Sequence, residues 1–288
     1  TTFGVALADN NALNSASKLA VTKGGLGTLT FTNTTSVNAG PVLVVAGTVN
    51  GAGTNTFSPN AIIQLGNAST ATAATPTATL DVLSFDQTIG GLATGTNTAG
   101  SSAIVRIGAG RTLTTTATNT LGSNIAANDI SKVNFTDGGA FVANGAMFQV
   151  GGATGGTNYA TLTVDMTALG SFTVNAGAAG IFRVGEPTSG TNGGAATIIL
   201  SPANVINANV IGLGDTTNGT AVQTLKLGAG TNVLNANTIT LGAAPTGGNR
   251  SSGVLVFNGG TGSVKVRSLT DAVNGRANLN MAFNGGTT

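Results

Sequence analysis

The sequence predicts an all-β protein, a parallel β-helix or β-solenoid with about three short strands in each coil. Three observations support this prediction. Apolar and polar residues alternate over short runs, and similar segments return roughly every 26–34 residues, a spacing typical of repeat arrays. Charged residues are only 7% of the 288 residues, while glycines number 45. Thr, Ser, Asn and Gly therefore supply the polar surface that ion pairs supply in most proteins.

Alternation is clearest around isolated cations. Single cations separate two apolar residues in Val105–Ile107, Phe182–Val184 and Leu225–Leu227, and the pattern extends over Val264–Leu269. A period of two places successive side chains on opposite faces of a strand. These segments therefore predict short strands with one buried face and one solvated face, separated by corners rich in Gly, Asn and Thr.

A four-residue step recurs along the chain: apolar, any residue, apolar, glycine. The last three intervals between its glycines are 34, 29 and 28 residues, and Phe31, Phe57 and Phe85 are separated by 26 and 28 residues. Intervals that vary by a few residues suit a solenoid, because extra residues can bulge outward at a corner. The glycines of this step are Gly66, Gly108, Gly151, Gly185, Gly214 and Gly242.

Two other all-β architectures explain the pattern less well. Propeller blades need about 40 or more residues and usually an aromatic signature, whereas this chain has no Trp. A β-sandwich needs no repeats. In a solenoid, equivalent strands stack in register, so like side chains form interior ladders while glycine takes the corners. About ten coils at about 4.8 Å each give a rod about 50 Å long.

Composition also excludes several functions. No apolar run approaches the about 18 residues of a membrane helix, so no membrane-spanning segment is expected. The 11 Lys and Arg form no basic block and there is one Tyr, which argues against nucleic-acid binding. Cysteine and histidine are absent. We therefore predict no disulfide, no cofactor and no metal site.

A family resemblance appears in two segments. Asp86–Leu92, preceded by Leu80–Leu83 and followed by a Gly/Thr/Asn spacer, resembles the autotransporter-associated β-strand repeats of very large secreted bacterial proteins. Asn11–Leu13, leading to Leu19–Val21 and Gly25–Phe31, is similar to another form of that repeat. The resemblance implies a right-handed β-helix that is exported to the bacterial cell surface or beyond.

The domain prediction is one solenoid over residues 1–288, with residues 1–25 as an end coil or a subunit-contact segment. Residues 8–21 could form only a short, poor helix. The chain starts at Thr1 rather than Met, and its last residues stop in mid-pattern. The sequence is therefore expected to be a processed protein or an excised segment.

The acidic residues are the candidates for a catalytic or calcium site. Glycoside cleavage needs two carboxylates across one bond, and calcium sites in such folds need acids clustered on neighbouring coils. Asp81 and Asp86 are the closest pair, and Asp137, Asp165 and Asp215 could approach one another if their coils align. We predict solvated corner or turn-capping roles for all of them, no catalytic residue and no enzymatic activity. The acids are Asp9, Asp81, Asp86, Asp129, Asp137, Asp165, Glu186, Asp215 and Asp271.

Other motifs point only weakly to ligands. Gly24–Leu29 and Gly259–Val264 are similar to the calcium-binding nonapeptide, but Thr28 and Ser263 stand where that motif needs Asp. The outward cations could bind an acidic polymer, although protection of flat faces against aggregation explains them better; they are Arg106, Arg183, Lys226, Lys265 and Arg267. N-glycosylation sequons begin at Asn33, Asn67, Asn218 and Asn249.

Three functions are compatible with the sequence. The leading hypothesis is a secreted structural repeat protein that associates with itself end to end in an extracellular or cell-surface fibre. An open head-to-tail contact generates such a filament. The alternative is an adhesin stalk or passenger domain that binds a glycan or matrix protein along one side, with Arg183 or Lys265 contributing. The third is a polysaccharide-degrading enzyme that depends on Asp165 or Asp215.

Overall fold

The computed structural model is a parallel β-solenoid, which confirms the predicted fold class. Every strand pair is parallel and, in the part of the chain that the structure describes, there is no helix. Described side chains extend to residue 261. The described residues are 1–9, 18–66, 77–95, 102–122, 132–151, 161–185, 195–214, 221–242, 252–271 and 276–282.

The strands form two sheets that wrap around one core. The first, sheet A, has eleven strands: β1 (Thr2–Phe3), β3 (Thr28–Phe31), β5 (Gly47–Gly51), β7 (Thr77–Val82), β10 (Ser102–Ile107), β13 (Lys132–Thr136), β16 (Leu162–Asp165), β19 (Ala196–Ile199), β21 (Val222–Lys226), β23 (Ser252–Asn258) and β25 (Arg276–Ala282). Ten steps of about 4.8 Å give this sheet a length of about 48 Å, in agreement with the predicted rod.

The second sheet is bent along its length into two halves, which we call side B and side C. Side B contains β8 (Gln87–Ile89), β11 (Thr112–Thr115), β14 (Ala140–Ala143) and β17 (Ser171–Asn175). Side C contains β2 (Val21–Lys23), β4 (Val42–Val44), β6 (Ile62–Leu65), β9 (Gly91–Thr94), β12 (Asn119–Leu121), β15 (Met147–Val150) and β18 (Ile181–Val184). Three long strands cross both sides: β20 (Ala203–Leu213), β22 (Thr231–Leu241) and β24 (Thr261–Asp271).

Three strands per turn were predicted, and the structure has about seven such turns. The turns from β7 to β24 each have a strand, or part of a long strand, on all three sides. The turns formed by β1–β6 have strands on sheet A and side C only, within the described residues. The cross-section therefore changes where β8 begins side B.

The predicted interior ladders are present. Register places Leu80, Val105 and Phe135 in one column of sheet A, and all three are buried. Phe172 lies directly above Phe141, with ring centroids 5.7 Å apart. Stacked or tilted aromatic pairs at such distances add to the stabilisation from burial.

The predicted alternation is confirmed in the three segments Val105–Ile107, Phe182–Val184 and Leu225–Leu227. In β10 the side chains alternate between half-buried and buried, so Arg106 points outward between buried Val105 and Ile107. Arg183 and Lys226 are likewise half-buried between fully or almost fully buried neighbours. The segment 264–269 lies in β24, of which only the backbone is described.

The predicted glycine column needs one correction. Gly108 follows β10 in sheet A, whereas the other five glycines follow side C strands, so Gly108 is not their equivalent. Its counterpart is Gly122, which follows β12 and has φ 83°. Positive φ at these corners favours glycine. The corrected positive-φ column is Gly66, Gly122, Gly151, Gly185, Gly214 and Gly242.

The similar spacing of Phe31, Phe57 and Phe85 does not place all three in one ladder. Phe31 and Phe57 are both buried, with ring centroids 5.2 Å apart. Phe85 is 36% exposed, at the corner that follows β7. Phe85 therefore does not continue their ladder, because a corner residue can turn outward where a strand residue is fixed by the pleat.

Candidate functional site

Arg106 brings two of the candidate acids together. Its Nη1 lies 3.3 Å from Asp81 Oδ2, and its Nε lies 3.2 Å from Asp137 Oδ2. Asp81 and Asp86 are the closest pair of acids in the sequence, whereas in the structure Asp81 shares Arg106 with Asp137. A guanidinium between two carboxylates compensates their negative charge across three successive turns. The arrangement is an ion-pair ladder on the outer face of sheet A.

The other described acids accept hydrogen bonds from backbone amides near turns. Asp86 Oδ1 accepts from the amide of Thr112 at 2.9 Å, and Asp165 Oδ1 accepts from the amide of Thr167 at 3.0 Å. Asp81 Oδ1 also accepts from the amide of Leu83, at 3.0 Å. The bonds of Asp81 and Asp165, each to an amide two residues further on, are the turn-capping roles that short acidic side chains commonly take, whereas the bond of Asp86 joins two successive turns.

The expected approach of Asp137 and Asp165 does not occur in register. Asp165 pairs with Asn134 on one side and with Ile199 on the other, so it lies in a different column from Asp137. The candidates Asp129, Glu186 and Asp215 lie outside the described residues, and only the backbone of Asp271 is described. Within the described ranges, no three acids lie close enough together to hold a metal ion.

Asp9 ties together two successive turns at the N-terminal end. Its Oδ1 accepts from the amide of Leu19 at 2.7 Å, and its Oδ2 accepts from the amide of Ala39 at 2.8 Å. These backbone hydrogen bonds, that from Leu19 first, hold the pKa of Asp9 below its ordinary value. The carboxylate therefore acts as a clamp between segments 20 residues apart in sequence.

Lys23 is the one buried cation among the described side chains. Its Nζ donates to the backbone oxygens of Gly24 at 2.9 Å, Gly25 at 2.6 Å and Ala46 at 3.1 Å. Burial lowers its pKa. The carbonyls of Gly24 and Gly25, within the segment that is similar to a calcium motif, thus face an ammonium group of the same chain.

Gln87 joins side B to the turn before it. Its Oε1 accepts from the amides of Thr56 at 2.9 Å and Phe57 at 3.3 Å, while its Nε2 donates to Gly53 oxygen at 2.6 Å. The side chain is 1% exposed. Sequence reasoning did not single out this residue, although it lies within the Asp86–Leu92 motif.

Asparagine ladders run along the corner between sides B and C. Asn175 Nδ2 donates to Asn144 Oδ1 at 3.0 Å, Asn207 to Asn175 at 2.9 Å and Asn235 to Asn207 at 2.7 Å. A second, shorter ladder joins Asn237 to Asn209 at 2.7 Å. The ladder members are 31, 32 and 28 residues apart in the sequence. Because Asn is abundant in this chain, these spacings did not distinguish the ladder residues from other asparagines.

The three lateral faces differ in charge. Outward positions of sheet A carry Asp81, Arg106, Lys132, Asp165 and Lys226, and side C carries Arg183. The described outward positions of the side B strands carry no ionisable side chain. Among the described side chains, the outward strand positions of side B are thus uncharged, whereas Arg111 is exposed at the corner before β11 and the backbone of Lys265 pairs with that of Asn235 at the other margin.

One predicted glycosylation site can be placed. Asn33 is half-buried, and its Oδ1 accepts from both the amide and the hydroxyl of Thr35, at 2.8 and 2.7 Å. The sequons at Asn67, Asn218 and Asn249 lie outside the described residues.

The ends of the described stack are β-strands. β1 and β2 are the outermost strands at one end, and β25 and β24 are the outermost at the other. Large exposed apolar side chains concentrate near the first end, where Val5 is 61% and Leu26 is 80% exposed. Across the described ranges, no helix has the length and apolarity needed to cross a membrane.

Comparisons with family models, with curated proteins and with solved structures each found no match to this chain. The resemblance to autotransporter-associated repeats therefore remains a prediction from the residues that carry it.

Proposed function

We propose that this protein is a structural building block, a β-solenoid that associates end to end into a fibre outside a bacterial cell or on its surface. The observation that carries the proposal is that the described stack has β-strands at both of its ends, β1 and β2 at one end and β24 and β25 at the other. Unpaired strand edges are ready templates for pairing with another chain.

The backbone hydrogen bonds of β2 identify which of its groups face away from the rest of the stack. The amide of Val21 donates to Pro41 oxygen at 3.0 Å, and Lys23 oxygen accepts from Val45 at 2.9 Å. Alternate residues of a strand direct their backbone groups to opposite sides, so the N–H and C=O of Thr22 face away from β4. A parallel strand from a second copy can pair with them.

Exposed apolar side chains support the same interpretation. Val5, Leu19, Leu26 and Val37 all lie within the first 37 residues, near β1 and β2. Burial of apolar surface is the main driving force of protein association. A second copy that continues the stack would cover part of this surface as well as the strand edge.

The bacterial, extracellular location rests on the resemblance of Asp86–Leu92 to repeats of secreted proteins. The adhesin alternative differs in its prediction for solution behaviour: rods remain monomeric and bind a glycan saturably. The enzyme alternative predicts turnover of a polysaccharide that is lost in the variant Asp165→Ala.

Proline at Thr22 tests the end-to-end contact. Thr22→Pro removes an amide that faces the open edge, and edge strands tolerate proline when its N–H side faces solvent. We expect wild-type protein to form filaments in electron micrographs and to sediment faster as concentration rises. Thr22→Pro should reduce filament length several-fold with little change in melting temperature, whereas Thr22→Ala should behave as wild type. Wild-type protein that stays as single short rods at high concentration would contradict the proposal.

A further inference from the structure

We propose that side B is a lateral docking face for a second copy of this chain, so that fibres contain rods paired along their length. The inference extends the proposed fibre, but pairing through side B can be measured in single rods as well. It is carried by the composition, flatness and repeat spacing of this face.

Side B presents only short, uncharged side chains between its corners. Eleven outward positions lie on β8, β11, β14, β17 and the first parts of β20 and β22, and ten of the eleven are half-buried while Thr231 is exposed. None of these side chains is larger than Val or Thr. The eleven are Thr88, Thr112, Thr114, Ala140, Val142, Ser171, Thr173, Ala203, Val205, Thr231 and Val233.

Register makes this face flat and regular. Ala140 pairs with Ser171 and Ser171 with Ala203, while Val142 pairs with Thr173 and Thr173 with Val205. Side chains therefore stand in straight rows about 4.8 Å apart along the axis. The Asn144–Asn235 ladder forms one margin of the face, and hydrogen bonds between the amide groups hold the Asn side chains of the ladder in place.

A second copy is the occupant that matches this surface. Rows of short β-branched and small side chains interdigitate in dry interfaces when the facing sheet has the same repeat. Another copy of the same solenoid presents that repeat on an equally uncharged face. Sheet A does not qualify, since Arg106, Lys132 and Lys226 would have to be desolvated on contact.

The area of the face sets the strength of pairing. Six strands at about 4.8 Å, each about four residues or 13 Å wide, give about 380 Å² per copy and about 760 Å² per pair. Stable interfaces bury about 1,200–2,000 Å², so two single rods should pair weakly. Rods joined end to end present several such faces in line, and their areas add. Lateral pairing should therefore strengthen as fibres grow.

Two threonines provide a matched test. Thr173 on side B and Thr197 on sheet A both point outward and are both half-buried. Lysine is accommodated at outward positions of sheet A, as Lys132 and Lys226 show, so both substitutions should fold. Thr173→Lys and Thr197→Lys add the same charge to the molecule, and only the first places it in the proposed interface. Val205→Lys is an independent second change on side B.

Filament width in electron micrographs is the first measurement. Wild type and Thr197→Lys should show filaments two rods wide, whereas Thr173→Lys and Val205→Lys should show filaments one rod wide. In sedimentation of short rods, the side B variants should raise the dimer dissociation constant at least about tenfold. Paired filaments that persist unchanged in both side B variants would overturn the inference. Wild-type filaments one rod wide would do the same and leave the end-to-end proposal intact.

Two further outcomes separate the inference from the proposed function. If wild type forms no filaments, the end-to-end proposal fails. In that case, dimers of single rods that are lost in Thr173→Lys would still support docking through side B. Single rods that stay monomeric at every concentration would contradict docking through side B. Unpaired rods that bind an insoluble polysaccharide through Thr173 would assign side B a different occupant and also overturn the inference.

Discussion

Asn207 lies one turn above Asn175, and its side-chain amide donates to Asn175 Oδ1 at 2.9 Å. The same relationship joins Asn235 to Asn207 and Asn175 to Asn144. Each inner member thus donates one hydrogen bond and accepts another, and the chain of amides runs parallel to the solenoid axis. Such ladders add to the backbone hydrogen bonds between stacked strands. They also fix the corner at which side B meets side C.

Replacement of one inner ladder member tests this role. Asn207→Ala removes two side-chain hydrogen bonds and leaves the amide groups of Asn175 and Asn235 without that partner. Because these groups are partly exposed and water can replace the partner, we expect a loss of about 1–2 kcal/mol in the free energy of unfolding, measured by urea denaturation. Ser171→Ala, on a neighbouring outward position of side B, should change it by less than about 0.5 kcal/mol. An equal effect of the two changes would argue against a stabilising ladder.

Replacement by alanine should reduce the free energy of unfolding far more at the buried Phe172 than at the exposed Phe85. Phe172 is fully buried, with ring centroids 5.7 Å from Phe141 and 5.1 Å from Phe148. Phe172→Ala should lower the free energy of unfolding by about 3–5 kcal/mol, because it leaves a cavity in a closely packed core. Phe85→Ala, at the exposed corner, should cost less than about 1 kcal/mol. Thermal unfolding of the two variants would show whether Phe85 is outside the core as described.

Gln87 should be intolerant of an apolar replacement of similar size. Gln87→Leu leaves the buried amides of Thr56 and Phe57 and the oxygen of Gly53 without the side-chain partner that they now have. Each unsatisfied group costs about 1–3 kcal/mol, so we expect a loss of at least about 2 kcal/mol. Gln64→Leu is the matched control, since Gln64 is half-buried and makes a single described bond, to Gly66 oxygen. Similar losses in both variants would show that the junction at Gln87 has no special role.

Asp9 predicts a pH dependence of stability at the N-terminal end. Its pKa is lowered in the folded protein by the amides of Leu19 and Ala39, so the folded state favours the carboxylate more than the unfolded state does. The stabilisation is complete above the unfolded pKa of about 4 and is lost as pH falls through the lower, folded pKa. The urea concentration at the unfolding midpoint of wild type should therefore decrease as the pH is lowered below about 4. Asp9→Asn should show a smaller fall over the same range; an identical pH profile would exclude the clamp as its cause.

Much of the fold followed from local patterns. Alternation around Arg106, Arg183 and Lys226 predicted which residues face the core, because a strand allows only two directions for its side chains. Similar spacing of segments predicted parallel stacking, because equivalent strands in successive turns must be joined by chain of similar length. The same reasoning misplaced Gly108 and Phe85. Both lie at corners. An apolar residue followed by glycine occurs on more than one side of the turn, which explains Gly108, and a corner residue such as Phe85 can turn outward because no pleat fixes its direction.

The candidate surfaces depended on register, which spacing alone does not specify. Register places Arg106 between Asp81 on one turn and Thr136, the residue before Asp137, on the next, so one guanidinium reaches both acids. The Asn144–Asn235 ladder and the uncharged rows of side B have the same origin. Their members are scattered at unequal intervals along a chain rich in Asn, Thr and Ala, so only the stacked structure shows which of them share a column.

The amino-acid sequence by itself determined the class of architecture and the inside and outside of each strand, because both follow from side-chain period and from glycine at sharp corners. The tertiary structure alone decided which residues lie next to each other on successive turns, and hence which face is charged and which is not. The physical reason is that a column is built from residues about 30 positions apart, and their alignment depends on the summed length of every intervening corner.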